Sequence, residues 1–352
     1  MSYQHGGDVT DYLLEYGTGP LDFSANVSPL GLPDGVRQAA ISALAAAGSY
    51  PDPHCRALRS ALADYYGLPA DWILCGNGAA DLIYRLAAAL KPGRALITAP
   101  AFEEYRLALE GCGCATERFL LNEADGFRVK EDILDAITSQ TDMLILCEPN
   151  NPTGVTTDRA LLARILQRCR GCGCLLVVDE CFNPFLEDSG LHSMINELPG
   201  GGLLIMRAFT KLYAMAGLRL GCCLCADAGI ISGMEAAGQP WSVSSVAQAA
   251  GIAALNETEY TDALRRLIRE QRPLLSAGLQ SLGCRVIAGE ANFLLFSSDI
   301  PELDAKLRHR GVMIRPCSNF TGLNSHWYRV SVRTERENRL LLDALREVLD
   351  NG

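Results

Sequence analysis

Residues 207–221 read Arg-Ala-Phe-Thr-Lys-Leu-Tyr-Ala-Met-Ala-Gly-Leu-Arg-Leu-Gly, and the rest of the chain is organised around this stretch. It follows the apolar run 203–206, which predicts a buried strand. Lys211, one of four lysines in the sequence, stands at the end of that strand among apolar and aromatic residues. An amine in such surroundings loses hydration in its charged form and becomes a stronger nucleophile. The stretch by itself fits either a nucleophilic lysine or a lysine that caps a strand.

The composition argues against several classes of protein. With 352 residues, of which 49% are hydrophobic, the chain has the length for two domains or for one large domain with an appendage. A net charge of −10 argues against a nucleic-acid-binding surface. No apolar run reaches the roughly 18 residues of a membrane span, and residues 1–5 are polar, unlike a signal peptide. We therefore expect a cytoplasmic protein with neither a membrane nor a nucleic acid as partner.

Fourteen cysteines raise the question of disulfides or a metal site. Disulfides are rare in the cytosol, and many of these cysteines lie in strand-like apolar runs. Cys169, Cys172 and Cys174 have the spacing C-x-x-C-x-C, which is the best metal candidate, but no second paired cluster accompanies it. The favoured interpretation is that the cysteines pack as small buried hydrophobic residues and bind no metal.

Apolar strands alternate with helices over residues 31–243. The predicted strands are 73–75, 95–98, 143–147, 175–179, 203–206 and 220–225. The predicted helices are 33–47, 55–66, 78–90, 102–110 and 159–170. This alternation predicts an α/β fold in which a mostly parallel sheet has helices on both faces.

The sequence pattern at the two ends of the chain differs from this alternation of strands and helices. Residues 1–30 look irregular, and we expect them to form an arm that lies on the rest of the protein. Residues 244–352 predict a smaller α+β domain. Its predicted helices are 249–282, 301–309 and 338–350, and its predicted strands are 292–296, 312–315 and 328–332. The sequence thus predicts an arm (1–30), a large domain (31–243) and a small domain (244–352).

Three polar residues each follow a predicted strand: Asn151, Asp179 and Lys211. Because parallel sheets bind ligands at the carboxyl ends of their strands, we expect these side chains to meet at one site. A buried carboxylate such as that of Asp179 is costly unless it is paired, and a protonated pyridine nitrogen would pair it. The alternatives are a helix-capping aspartate and, for Asn151 in Asn-Pro-Thr-Gly, a simple turn.

Other residues suit a flat, phosphorylated ligand. Gly78 and Ala79 open a helix, where unpaired N–H groups favour an anion such as phosphate. Thr210 and Arg219 flank Lys211 and offer a hydroxyl and a cation for the same phosphate. Phe102 follows a proline at a strand end and fits either stacking on a flat ring or core packing.

Together these residues resemble the fold-type I pyridoxal-phosphate enzymes of the aspartate aminotransferase superfamily, and the resemblance covers nearly the whole chain. The matching residues are Gly78-Ala79, Phe102, Asn151-Pro152-Thr153-Gly154, Asp179-Glu180, Thr210-Lys211, Arg219 and Arg329. The resemblance implies pyridoxal 5'-phosphate as the cofactor. Lys211 is then the Schiff-base lysine, Asp179 pairs with the pyridine nitrogen, Asn151 bonds the phenolic oxygen and Phe102 stacks on the ring.

The resemblance also implies how the cofactor phosphate is bound. Gly78, Ala79, Thr210 and Arg219 are expected to hold it within one chain. Tyr50, in Tyr-Pro-Asp-Pro, resembles the tyrosine that reaches the cofactor phosphate of the partner subunit. A homodimer is therefore expected.

Within the superfamily, the chain most resembles the threonine-phosphate decarboxylases of cobalamin synthesis, and next the histidinol-phosphate aminotransferases. The stretches that carry this resemblance are His5-Gly6-Gly7, Asp22-Phe23-Ser24-Ala25-Asn26, Gly76-Asn77-Gly78-Ala79-Ala80, Phe182, Pro240-Trp241-Ser242-Val243 and Arg329-Val330-Ser331-Val332-Arg333-Thr334. By this resemblance the N-terminal arm closes on the active site. Ser28 departs from the decarboxylase pattern, which has an asparagine there, and this puts the closing of the arm in doubt.

Both subgroups act on a small phosphorylated substrate that carries an amine. The resemblance assigns the substrate carboxylate to Arg329 through a two-pronged ion pair and counts Asn151 among the substrate-binding residues. It offers His5, Arg315 and Arg333 for the substrate phosphate. The alternatives are a terminal histidine without structure and ordinary surface arginines.

Two reactions remain open on the sequence. If the C–COO⁻ bond of the substrate stands perpendicular to the ring, carbon dioxide leaves and a protonated Lys211 returns a proton to Cα. If the C–H bond stands there, Lys211 moves that proton and the outcome is transamination. A third possibility, a regulator that kept the fold, would usually be fused to a DNA-binding segment, and no basic helix-turn-helix stretch precedes residue 30. The sequence does not separate threonine phosphate from serine phosphate.

Overall fold

A seven-stranded sheet forms the centre of the protein in a computed structural model that describes residues 5–350. The strands of the described residues are β1 (Leu21–Asp22), β2 (Ile73–Gly76), β3 (Arg94–Ala99), β4 (Ala115–Leu120), β5 (Met143–Cys147), β6 (Leu175–Asp179), β7 (Leu203–Ala208), β8 (Gly221–Cys225), β9 (Arg285–Val286), β10 (Phe293–Ser297), β11 (Val312–Met313), β12 (Arg315–Pro316) and β13 (Trp327–Ser331). The large sheet has the order β2-β8-β7-β6-β5-β3-β4, and β8 runs antiparallel to the other six strands. The predicted α/β fold with a mostly parallel sheet is confirmed.

Helices cover both faces of this sheet. The helices of residues 5–350 are α1 (Val9–Tyr16), α2 (Asp34–Ala43), α3 (Arg56–Tyr66), α4 (Gly78–Leu90), α5 (Glu104–Gly111), α6 (Ile133–Ala136), α7 (Arg159–Cys172), α8 (Ser189–His192), α9 (Phe209–Leu212), α10 (Ala228–Ala236), α11 (Ser245–Ala254), α12 (Thr258–Ser281), α13 (Leu303–Arg308) and α14 (Glu335–Asp350). Along β6, Leu176 and Val178 belong to the core shared with α3 and α7, whereas Val177 belongs to the core shared with α4 and α5. Because side chains alternate along a strand, burial on both faces requires an unbroken apolar run.

A second, antiparallel sheet lies in the later part of the chain, with the order β12-β13-β10-β9. Leu275 of α12 and Leu341 of α14 are buried in the same core as Phe293 of β10. That core also contains Leu58 of α3, so apolar packing continues from the large sheet into this region. The predicted boundaries after residues 30 and 243 stay predictions.

The arm contains more regular structure than we expected from its sequence. Residues 9–16 form α1, which begins where the Asp8 carboxylate accepts a hydrogen bond from the Asp11 amide and ends at Gly17 in the left-handed conformation. Strand β1 pairs in parallel with β11. The expectation of an irregular arm was wrong because an N-cap aspartate and a C-cap glycine are sufficient to bound a short helix.

Two further sequence predictions needed correction. The long helix predicted over 249–282 is two helices, α11 and α12, separated by residues 255–257. Strand β4 was not among the predicted strand ranges; it is an edge strand of the large sheet, and its residues are half-buried or exposed. An edge strand with one solvated side carries charged residues, so its apolar signal is weak.

The cysteines lie where apolar packing predicts. Cys169 and Cys174 are buried in the core and Cys172 is half-buried. Over residues 5–350 the structure places no three metal-ligating side chains close enough to share an ion. Within the same range, none of the helices combines the length and the apolar character that a membrane crossing requires.

Candidate active site

A cavity of about 800 Å³ opens at the carboxyl ends of the parallel strands. Strand β6 ends at Asp179, and β7 leads into α9, which carries Thr210 and Lys211. Most of the predicted site residues line this cavity: His5, Ala79, Phe102, Asn151, Asp179, Thr210, Lys211, Arg219, Arg315, Arg329 and Arg333. The convergence predicted from strand ends is therefore present in the fold.

Asp179 is held on both carboxylate oxygens. It is 6% exposed. Its Oδ2 accepts a hydrogen bond of 2.5 Å from the Tyr105 hydroxyl, and its Oδ1 accepts one of 2.9 Å from the Cys181 amide. Burial, and then the neighbouring Asp179 charge, raises the pKa of Tyr105 well above its ordinary value, so Tyr105 remains a donor. Sequence reasoning missed Tyr105, which packs edge-on against Phe102 with ring centroids 5.5 Å apart.

Lys211 lies beside an aromatic ring and under the arm. Its Nζ is 5.3 Å from the centroid of the Phe182 ring. Its backbone carbonyl accepts a hydrogen bond of 2.9 Å from the Ser28 amide, and the Ser28 hydroxyl accepts one of 2.6 Å from Tyr260. Ser28, the departure from the decarboxylase pattern, thus joins the arm to the helix that carries Lys211.

The first turn of α4 meets Arg219 closely. Gly78 has a φ of 82°, and a Cβ there would lie 2.5 Å from Arg219 Nη2. Arg219 itself has a φ of 59°, which is uncommon for a residue with a side chain and marks a constrained position. Glycine leaves space between the helix start and the guanidinium, where an anion would meet both N–H groups and a cation. Thr210 adds a hydroxyl to the same cavity.

Arg329 is buried opposite these groups. Its Nη1 donates to Asn151 Oδ1, and its Nη2 donates to the Ser24 carbonyl at 2.9 Å. Among the residues that the structure describes, Arg329 Nε has no hydrogen-bond partner. Burial lowers the pKa of Arg329 to about 10. A guanidinium in this state gains from an anionic ligand, because such a ligand would restore the interactions lost with water.

Arg315 and Arg333 line the same cavity but are already engaged. Arg315 donates to Asn319 Oδ1 at 2.9 Å. Arg333 pairs with Glu337 at 2.7 Å and donates to the Asp22 carbonyl at 3.1 Å. Arg315 is buried and Arg333 is half-buried, so neither is an ordinary surface arginine.

The arm brings His5 to the cavity. The Gly7 amide donates to Ser24 Oγ at 2.8 Å, which folds the arm back on itself. His5 Nε2 lies 2.9 Å from Glu104 Oε1. Its ring centroid is 5.8 Å from that of Phe102. Sequence reasoning missed Glu104 because nothing in its neighbourhood indicates a partner 99 residues away.

Tyr50 does not line the cavity of its own chain. It is 79% exposed, and its ring stacks on Trp241 with centroids 4.5 Å apart. An exposed aromatic pair of this kind is common where proteins associate. The position of Tyr50 is compatible with a role in a partner subunit, which stays a prediction.

The residues present suit pyridoxal phosphate. Asp179 offers a carboxylate held by two donors, Phe102 a ring face, and Lys211 an amine. Gly78 and Arg219 form a cradle that a Cβ would fill. A phosphorylated pyridine aldehyde needs an anion site, a carboxylate to pair with its ring nitrogen and an amine, and all three face one cavity.

The fold is that of a class of α/β enzymes that depend on pyridoxal phosphate, and these residues suit that class. The family model for aminotransferase class I and II matches residues 18–345, and the chain belongs to this family.

Three relatives illustrate where the chain falls within the family. It is 39% identical to a threonine-phosphate decarboxylase of Salmonella typhimurium, over 98% of this chain and 96% of that protein. It is 37% identical to a histidinol-phosphate aminotransferase of Symbiobacterium thermophilum, over 99% and 96% of the two chains. The crystal structure of the histidinol-phosphate aminotransferase from Clostridium acetobutylicum superposes with a TM-score of 0.88 at 28% identity, covering 94% of this chain and 99% of that one.

Proposed function

We propose that this protein decarboxylates L-threonine O-3-phosphate to (R)-1-amino-2-propanol phosphate, using pyridoxal 5'-phosphate, in cobalamin biosynthesis. The observation that carries the proposal is the joint presence of His5, Arg315, Arg329 and Arg333 on the cavity that holds Lys211. A substrate with both a carboxylate and a phosphate needs two cationic sites at once.

The chain's own residues account for substrate binding. Arg329 would take the substrate carboxylate through its fork, with Asn151 held beside it. Arg315, Arg333 and His5 would take the phosphate. Fixing both ends of a small molecule determines which bond at Cα stands perpendicular to the cofactor ring, and that bond is the one that breaks.

Residues of the same cavity account for the proton that is returned to Cα. Once bound, pyridoxal phosphate supplies an electron sink for the pair left at Cα. Asp179, whose carboxylate accepts hydrogen bonds from Tyr105 and from the Cys181 amide, would pair with the cofactor's ring nitrogen. The Lys211 ammonium is the acid that returns a proton to Cα after carbon dioxide has left. Closure of the arm at Ser28 would limit access of water to this step.

An aminotransferase acting on histidinol phosphate is the second candidate. The similarity to histidinol-phosphate aminotransferases supports it, since their identity to this chain is nearly as high. In that case Arg329 would bind the carboxylate of glutamate or 2-oxoglutarate, and Lys211 would move the Cα proton.

One experiment separates the two reactions. The purified protein with pyridoxal phosphate is incubated with threonine phosphate and no keto acid, and carbon dioxide release is followed. We expect sustained release from the wild type and none from the Lys211→Ala variant, which is the control. Serine phosphate, which lacks the methyl group of threonine phosphate, tests substrate preference. A methyl group contributes about 1–3 kcal/mol to discrimination between substrates. No release, together with turnover of histidinol phosphate and 2-oxoglutarate, would replace the proposal by the aminotransferase.

We further infer that the protein works as a homodimer in which Tyr50 reaches the cofactor phosphate of the other subunit. The exposure of Tyr50, and its separation from the cavity of its own chain, support this arrangement.

A further inference from the structure

Glu104 places a negative charge in a cavity whose other charged residues are mostly cationic. Its side chain is 16% exposed, and its Oε1 lies 2.9 Å from His5 Nε2. Its Oε2 accepts a hydrogen bond of 2.7 Å from the Tyr84 hydroxyl. That hydrogen bond raises the pKa of Tyr84 to about 12, so Tyr84 remains a donor. Both oxygens are therefore used, one toward α4 and one toward the arm.

The arm reaches Glu104 through a constrained turn. A Cβ on Gly6 would lie 2.3 Å from the Ser24 carbonyl oxygen, so the chain at this point passes too close for any side chain. The Gly7 amide donates to Ser24 Oγ. With the backbone held at Ser24 and the imidazole at Glu104, two separate contacts fix His5 against the cavity wall.

We propose that Glu104 is a positioning residue for the substrate phosphate, acting through His5; this rests on the proposed function in that the substrate carries a phosphate. With the arm docked, Glu104 binds His5 Nε2 and holds the imidazole on the wall of the cavity, where it can bind a phosphate. With the arm displaced, the bare carboxylate faces the phosphate and repels it. The same residue therefore couples docking of the arm to recognition of the phosphate.

This coupling predicts an unusual order of KM values among variants of the full-length protein loaded with pyridoxal phosphate. Glu104→Gln should raise KM about tenfold with kcat within twofold, as expected when a charged hydrogen bond used only for binding is weakened. His5→Ala should raise KM more, because it also exposes the carboxylate. The double variant should have a lower KM than His5→Ala alone, since it removes the repulsion.

Two further variants act as controls. Glu104→Asp keeps the charge and should recover part of the loss. Glu103→Gln changes the neighbouring carboxylate, which pairs with Arg106 and Arg118, and should leave KM unchanged. An unchanged KM in Glu104→Gln, or a double variant with a KM equal to or above that of His5→Ala, would overturn the inference.

The inference can be tested even if the proposed function fails. If neither threonine phosphate nor histidinol phosphate is turned over, the same proteins, with the cofactor bound, are titrated with inorganic phosphate and their Tm is followed. The phosphate-induced rise in Tm should be largest in the wild type, smaller in Glu104→Gln and smallest in His5→Ala. Equal rises in all three would contradict a role for Glu104 in anion recognition.

Discussion

The side of the cavity that we assign to the cofactor is built from strand ends of one sheet and the helices that follow them. Strand β6 ends at Asp179. Lys211 lies in the helix that follows β7, and Gly78 is the first residue of the helix that follows β2. The opposite side, which we assign to the substrate, is assembled from the arm and the second sheet: Arg329 lies on β13 and binds the Ser24 carbonyl 305 residues away.

The difference lies in what holds each side. On the cofactor side the sheet fixes the backbone, and a few contacts such as Tyr105 to Asp179 complete the arrangement. On the substrate side His5, Arg329 and Arg333 each have a partner from a distant element, as Arg333 has in the Asp22 carbonyl. We therefore expect changes on the cofactor side to lower kcat or cofactor affinity, and changes on the substrate side mainly to raise KM.

The largest effect is expected from Lys211→Ala, which removes the amine that moves the proton. Turnover should fall about a thousandfold or more, measured as product formation with saturating substrate and cofactor. Lys130→Ala is the matched control, because that amine pairs with Asp125 away from the cavity. Retained turnover in Lys211→Ala would contradict the assignment of Lys211 as the residue that moves the proton.

Arg329→Lys tests the substrate side. A lysine ammonium lacks the planar fork of a guanidinium. It therefore cannot bind Asn151, the Ser24 carbonyl and a substrate carboxylate at the same time. We expect KM to rise about a hundredfold with a smaller loss of kcat, whereas Arg346→Lys, an exposed arginine paired with Asp343, should change neither. A loss confined to kcat would assign Arg329 to the chemical step instead.

Tyr105→Phe tests the contribution of one hydrogen bond on the cofactor side. It removes one of two donors to Asp179 without changing the ring that packs against Phe102. Weaker cofactor binding and about tenfold lower kcat are expected, consistent with one hydrogen bond to a charged group. Cofactor affinity is measured by titration of the apoprotein, with the exposed Tyr65→Phe as the control. A change in substrate KM alone would contradict the division into two sides.

The role of Tyr50 can be tested by mixing two impaired proteins. Tyr50→Ala should weaken cofactor binding about fivefold, the scale of one exposed hydrogen bond. In a hybrid of Tyr50→Ala with Lys211→Ala subunits, one site would have both residues intact if Tyr50 acts across the interface. Activity of the refolded mixture, assayed at limiting cofactor, should then exceed the mean of the two variants; no such gain would place Tyr50 outside the partner's site.

The smallest effect is expected from Ser28→Ala. The Ser28 amide would still donate to the Lys211 carbonyl, but the Tyr260 hydroxyl would lose one of its two acceptors and keep the Gly31 carbonyl. The free energy of unfolding should fall by about 1 kcal/mol and KM should rise a few-fold. Chemical denaturation and initial rates measure the two effects, and Ser281→Ala, at the end of α12, serves as the control.

The sequence was informative where signals are local. The run 203–206 predicted β7, and with it the location of Lys211 at the carboxyl edge of the sheet. It was uninformative where a residue's role depends on a partner far along the chain. Tyr105 lies in a helix that reads as ordinary amphipathic sequence, and Glu104 reads as a solvated charge.

The sequence by itself determined the α/β fold, the set of strand ends and the family, because hydrophobic periodicity and a few spaced residues act through short-range rules. Only the tertiary structure decided that Arg329 meets Asn151, that Ser28 ties the arm to Lys211 and that Glu104 holds His5. These contacts join residues from 99 to 183 positions apart, and their geometry depends on how the arm and both sheets pack together. No local pattern encodes that packing, since it is fixed by the summed burial of the whole core.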